Sequence, residues 1–155
     1  MNLPVSKISE HEETYSTSLF SMLLPLGSDS IAKQDEIYNV QKEVIREMAE
    51  KESCIIVGRC ADYIFRDHRN VLNIYIYAPV DARYKNCVEV LKMKTEEATK
   101  MIYKGDNART AYHRRYAKDA PGDPDSKQIM IDSSMLGVRG TAEVLAEIVQ
   151  RRFGL

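Results

Sequence analysis

The feature that most limits how this chain can fold is the run Cys54-Ile-Ile-Val57, followed at once by Gly58-Arg59. A short, continuous apolar stretch bounded by turn formers reads as a buried strand of a parallel sheet, and here the strand would deliver a cation at its exit. Asn70-Val-Leu-Asn-Ile-Tyr-Ile-Tyr-Ala78 is a second strand, rich in β-branched and aromatic residues and closed by Pro79, and Gln128-Ile-Met-Ile-Asp132 is a third. Helical patterns lie between them. Ile37, Val40, Val44, Ile45 and Met48 recur on one face from Asp35 to Lys51. Asp81 suits the first turn of a helix running to about Lys94, and Thr95-Glu-Glu-Ala98 suits the start of another that reaches Lys118 and is weakened at Gly105. Asp119 to Ser126 is a loop, and a closing helix from about Thr141 to Arg152 aligns Val144, Leu145, Ile148 and Val149. Before all of these, Ser9-Glu-His-Glu12 has capping-box spacing and opens a helix that Pro25 and Gly27 end. Strands alternating with helices predict an α/β fold with a mainly parallel sheet, and 155 residues suit one domain.

Charge narrows the function. With 22 basic and 23 acidic residues the formal charge is −1, so no overall field draws the chain to nucleic acid or an anionic membrane. Neither a membrane-length apolar run nor a signal-peptide pattern is present, and Cys54, Cys60 and Cys87 form no Cys-x-x-Cys pair. Reduced thiols and a cytoplasmic location are the expectation. His11 and His68 have no metal-ligand spacing, so no metal site is expected, and His113 reads as a surface or ligand-facing residue.

Two polar clusters remain. In an open parallel sheet ligands bind beyond the carboxyl ends of strands, where Arg59 falls; its guanidinium suits two phosphate oxygens, and Asp62 nearby could accept hydrogen bonds from a sugar or base. The alternative is a plain ion pair between Arg59 and a neighbouring carboxylate such as Asp62. The second cluster is Lys104 to Lys118, where Asp106, Arg109 and His113 share a helix face while Arg114 and Arg115 point elsewhere. Such a face can grip phosphates, or it can be a solvated surface.

The strings VIREMAEKESCIIVGRCADYIFRD, NVLNIYIYAPVDAR, DNARTAYHRRY and IDSSMLG, taken in this order, resemble the cytidylate kinase-like proteins of the P-loop nucleoside monophosphate kinase group. The resemblance runs from about Asp35 onward and more loosely before it. It implies a three-layer α/β/α domain over residues 1–155 with a helical lid at about 95–126. It also implies transfer of the γ-phosphoryl of ATP, with Mg²⁺, to a monophosphate such as CMP. Arg59 would contact the acceptor phosphate and Asp62 the sugar or base. Asp106 and Arg109 would form the lid pair that holds the acceptor and the migrating phosphate, with Arg114 adding charge.

Departures from the family's pattern are specific. Cys60 stands where cytidylate kinases proper have Asp, Ile102 where a further lid arginine is expected, and APGDPDSKQ lacks the usual aromatic residues. No arrangement of the seven glycines gives Gly-x-x-x-x-Gly-Lys-Ser/Thr, so the phosphate loop is missing from this sequence. The expectation is an N-terminally shortened chain. The family's first strand pairs with both CIIV and NIYIYA, so both would keep unpaired inner edges that a partner or a second copy could cover. Two functions follow: a nucleotide phosphotransferase, or a catalytically silent nucleotide-binding or interaction protein that has lost the ATP site.

Overall fold

The computed structural model describes residues 31–155. The predicted helix ending at Gly27 lies outside the described residues. Helix α1 (Ile31–Lys51) is the amphipathic helix expected from the sequence, begun four residues earlier than its periodic pattern. The chain then runs through a left-handed bend into a single-turn helix, α2 (Ala61–Ile64). Strand β1 (Ile74–Tyr77) leads to α3 (Val80–Lys85), with Pro79 at its N-cap and Asp81 in its first turn. A π-helical turn over Asn86–Val90 widens the helix, closed by Leu91 N–H donating to the Asn86 carbonyl at 3.1 Å. Helix α4 (Thr95–Tyr116) passes unbroken through the buried Gly105. After a 3₁₀ turn at Pro124–Ser126, strand β2 (Ile129–Asp132) returns beside β1, and α5 (Gly137–Phe153) closes the chain. The last helix starts earlier than expected: Thr141 sits inside the first turns, buried, with Oγ1 donating to the Gly137 carbonyl at 2.7 Å.

The fold is mixed α/β and mostly helical. Strands β1 and β2 pair in parallel, with Ile74 opposite Ile129 and Tyr77 opposite Asp132, as the crossover through α3 and α4 requires. The first of the three expected strands is not formed: Cys54–Val57 lies outside the described two-stranded sheet, and Ile55 and Val57 are 96% and 79% exposed. Among the described residues this segment makes no backbone–backbone hydrogen bond. Apolar composition does not make a strand without a neighbouring ladder to satisfy its N–H and C=O groups. β1 has an open side as well. The Asn73 and Tyr77 carbonyls accept from the β2 side, so by the two-residue alternation the peptide groups of Ile74 and Ile76 face away from β2.

Burial is concentrated in two small clusters at the ends of α4. At its start, Ala98 and Ile102 pack on Cys87, and Tyr84, Val88, Met93 and Met101 close around them. Cys87 enters this cluster from the π-helical turn. At its far end, Ala117 packs with Tyr38 of α1 and with Cys60 of the bend, among Tyr63, Tyr112 and Tyr116. Tyr38 and Tyr116 stack at 3.9 Å between centroids and 16° between planes, and Tyr112 meets both edge-on. An ion pair fastens the same joint: Arg115 reaches Asp35 at 2.7 Å, and the Tyr116 hydroxyl donates to Asp35 at 2.9 Å.

Candidate functional site

Arg59 sits in a bend made of three consecutive left-handed residues. Gly58, Arg59 and Cys60 have φ of 72°, 57° and 53°, and Ala61 N–H donates to the Gly58 carbonyl at 3.1 Å across the turn. The two central positions of such a turn favour Asn and Gly, because a Cβ crowds the carbonyl when φ is positive. Arg and Cys occupy them instead, at a cost on the order of 1–3 kcal/mol each. Backbone held in this state needs outside support. Cys60 is anchored in the Tyr38–Ala117 cluster at 2% exposure. The guanidinium carbon of Arg59 lies 5.9 Å from the centroid of the Tyr112 ring on α4.

That contact brings together the two polar clusters read from the sequence. Tyr112 follows Arg109 by three residues, so Arg59 lies beside the turn of α4 next to the one that carries Arg109. Asp106 accepts from Arg109 Nη1 at 3.1 Å. It also accepts from Arg83 Nη1 at 2.8 and 2.9 Å, a residue of α3 that sequence reasoning did not single out. The Arg83 side chain is 31% exposed and its Nε is buried without a hydrogen-bond partner among the described residues. Two guanidiniums share one carboxylate, which leaves the cluster a net positive charge. Arg114 is exposed, and on α4 it is offset from the Asp106–Arg109–His113 row.

Asp62 has a different setting from the one the Arg59 ion-pair alternative supposed. Its carboxylate accepts from His113 Nε2 at 3.0 Å and from Lys127 Nζ at 2.6 Å. Lys127 is the most enclosed cation of the group, its side chain 4% exposed, and it also donates to Ser126 Oγ at 2.6 Å. On the other side of the imidazole, Nδ1 lies 3.1 Å from the Asp119 carbonyl, with Asp119 Oδ1 2.9 Å away. His113 is therefore buried between acceptors, a correction to its reading as a surface or ligand-facing residue. Its place on the Asp106–Arg109 face was the only sequence signal for this; Lys127 and Asp119, far along the chain from Asp62, gave none.

The titration behaviour follows from this packing. Burial by itself would raise the Asp62 pKa, but the hydrogen bonds and charges of His113 and Lys127 outweigh it and hold the carboxyl far below its ordinary 3.8. Burial would lower the His113 pKa, yet the Asp62 hydrogen bond, the Asp119 carbonyl and both carboxylate charges keep it above 6.5. Since both ring nitrogens face acceptors, satisfying both requires the doubly protonated imidazolium. The Cys60 thiol is pushed up to about 12, first by burial and then by the charges of Asp62 and Asp119. It is a protonated, structural thiol.

Chemically, the site offers guanidiniums beside adjoining turns of α4 and a carboxylate locked inside the protein. Among the described residues no group of three His, Cys, Asp or Glu side chains is placed to hold a metal ion. No described helix is long and apolar enough to cross a membrane.

A model of the cytidylate kinase-like family matches residues 1–135. The chain is also similar to a solved structure of an uncharacterized protein from Eubacterium ventriosum, with 30% sequence identity and a TM-score of 0.68. The similarity covers 74% of this chain and 65% of that one, so the matched part of this chain spans under two thirds of that protein's length. No curated protein matches the sequence.

Proposed function

The chain belongs to the cytidylate kinase-like family, and from that premise we propose that it serves phosphoryl transfer from ATP to a nucleoside monophosphate such as CMP. The described residues supply the acceptor and lid side of the site. One observation supports this reading: the strained bend sets the Arg59 guanidinium carbon 5.9 Å from the Tyr112 ring centroid, and Tyr112 lies one turn along α4 from Arg109.

Transfer of a phosphoryl group needs the acceptor and donor oxygens in line, and cations around the charge shared by the equatorial oxygens. Arg59 binds the acceptor phosphate, its planar fork matching two oxygens. Arg109, its guanidinium oriented by Asp106, closes on the migrating group, and Arg83 adds a second cation beside it. Arg114, on the exposed flank of α4, contributes long-range charge rather than a fixed contact. Mg²⁺ carried by the donor nucleotide would supply the remaining charge neutralisation. Asp62 takes no direct part in this scheme. Its two oxygens already accept from His113 and Lys127, so sugar or base recognition falls to other groups.

A second reading is favoured by one specific feature, the lack of a Gly-x-x-x-x-Gly-Lys-Ser/Thr loop in this sequence. On that reading the chain binds the monophosphate without transferring to it. Radiolabelled Mg²⁺–ATP incubated with CMP and the purified chain separates the two. Label appearing in CDP, and falling by about a hundredfold in Arg109→Ala, supports transfer. CMP binding without labelled CDP supports the silent reading, and neither binding nor transfer removes both.

A further inference from the structure

Three consecutive left-handed residues do not stay in place on local preference alone, since two of them carry side chains that disfavour the conformation. Something must hold them. Cys60 is fixed by packing, but the helix turn that follows the bend is only four residues long and has no side-chain cap, so it cannot set its own position. The next anchor along the chain is Asp62, and its carboxylate is tied to α4 through His113 and to the segment before β2 through Lys127. Both ties are enclosed: the exposures are 10% for the His113 side chain, 17% for Asp62 and 4% for Lys127.

We propose that His113 and Lys127 are positioning residues which, by gripping Asp62, hold the left-handed Gly58–Cys60 bend closed against α4 and so pre-orient Arg59. The inference builds on the acceptor-phosphate reading of Arg59, and adds the device that prepares that residue for its ligand. Neither His113 nor Lys127 touches the ligand in this scheme. Asp119 completes the arrangement from the other side, turning the imidazole so that Nε2 points at Asp62. Such an outer layer of hydrogen bonds keeps a guanidinium in one productive position rather than several.

The chain contains its own reporters. Cys60 is buried in the bend, and Cys87 is buried in the separate cluster at the other end of α4. Opening of the bend alone exposes Cys60, whereas global unfolding exposes both. Iodoacetamide labelling, read at each cysteine by peptide mass spectrometry, would compare wild type with His113→Gln, His113→Asn and Lys127→Met. Gln places its amide nitrogen near the Nε2 position and can still donate to Asp62; Asn reaches only as far as Nδ1. The expected result is a rise of about tenfold in Cys60 labelling for His113→Asn and Lys127→Met, near-wild-type protection in His113→Gln, and unchanged Cys87 in all three. Equal rises at Cys60 and Cys87, no rise at either, or identical behaviour of the Gln and Asn variants would overturn the inference. Calorimetric titration of the same proteins with CMP supplies the link to function: affinity should fall about tenfold in His113→Asn although Arg59 is intact. Wild type that fails to bind CMP would defeat the acceptor reading, while the labelling would still decide whether the network holds the bend.

Discussion

At the scale of single residues, Arg59 is where conformation and chemistry conflict. A guanidinium side chain stands at a place whose backbone favours glycine, and the chain accepts the strain. Removing the side chain without relieving the backbone, as in Arg59→Ala, should therefore be compared with Arg59→Gly, which does both. The glycine variant regains about 1 kcal/mol from the left-handed position, after allowance for its greater freedom when unfolded. It should melt about 2–4 °C above Arg59→Ala in calorimetric scans while binding CMP no better. Equal melting temperatures would mean that the bend stores no strain. Arg59 was legible in the sequence as a cation following an apolar run, because residue type and neighbours carry that information. Its left-handed φ was not, since nothing in Gly-Arg-Cys marks the second and third residues as turn formers.

Elements that depend on their own periodicity were read well, and those that depend on a neighbour were not. The helices α1 and α4 fall close to their expected bounds because an apolar stripe at helical spacing is a local property. Cys54–Val57 has strand composition, yet a strand exists only through its ladder, and this one has no partner among the described residues. The Asp62–His113–Lys127 network was hidden for a related reason: it joins the bend, the last turns of α4 and the loop into β2 across long sequence separations. Its two titrations act in different pH ranges. Asp62, depressed when folded, contributes stability above its ordinary 3.8 and loses it as pH falls through the folded value. His113, raised when folded, contributes fully below 6.5 and loses that contribution as pH rises through its folded value. Lys127, Asp119 and Arg59 are the other charged groups packed around this network, and Cys60 stays a thiol because its pKa is pushed up to about 12. Urea melts at a series of pH values should show stability declining above 6.5 in wild type, with a flatter profile in His113→Gln. Parallel profiles would assign the decline to other groups.

At the scale of the whole molecule, α4 is the spine. It carries the Asp106–Arg109 pair in its middle, closes one buried cluster at each end, and through Tyr112 and His113 receives the bend that bears Arg59. The order of motifs along the chain was enough to indicate the family, and the family model over residues 1–135 agrees with it. Sequence order could not show that Arg83 joins Asp106, because that pairing depends on how α3 and its π-helical turn pack on α4. Phosphate binding by Arg59 is tested most directly by calorimetric titration of this chain with CMP and with cytidine, in wild type and Arg59→Ala. The prediction is that wild type binds CMP, that cytidine binds far more weakly, and that Arg59→Ala weakens CMP by about 10- to 100-fold while leaving cytidine unchanged. CMP binding that survives Arg59→Ala, or that cytidine matches, would contradict it.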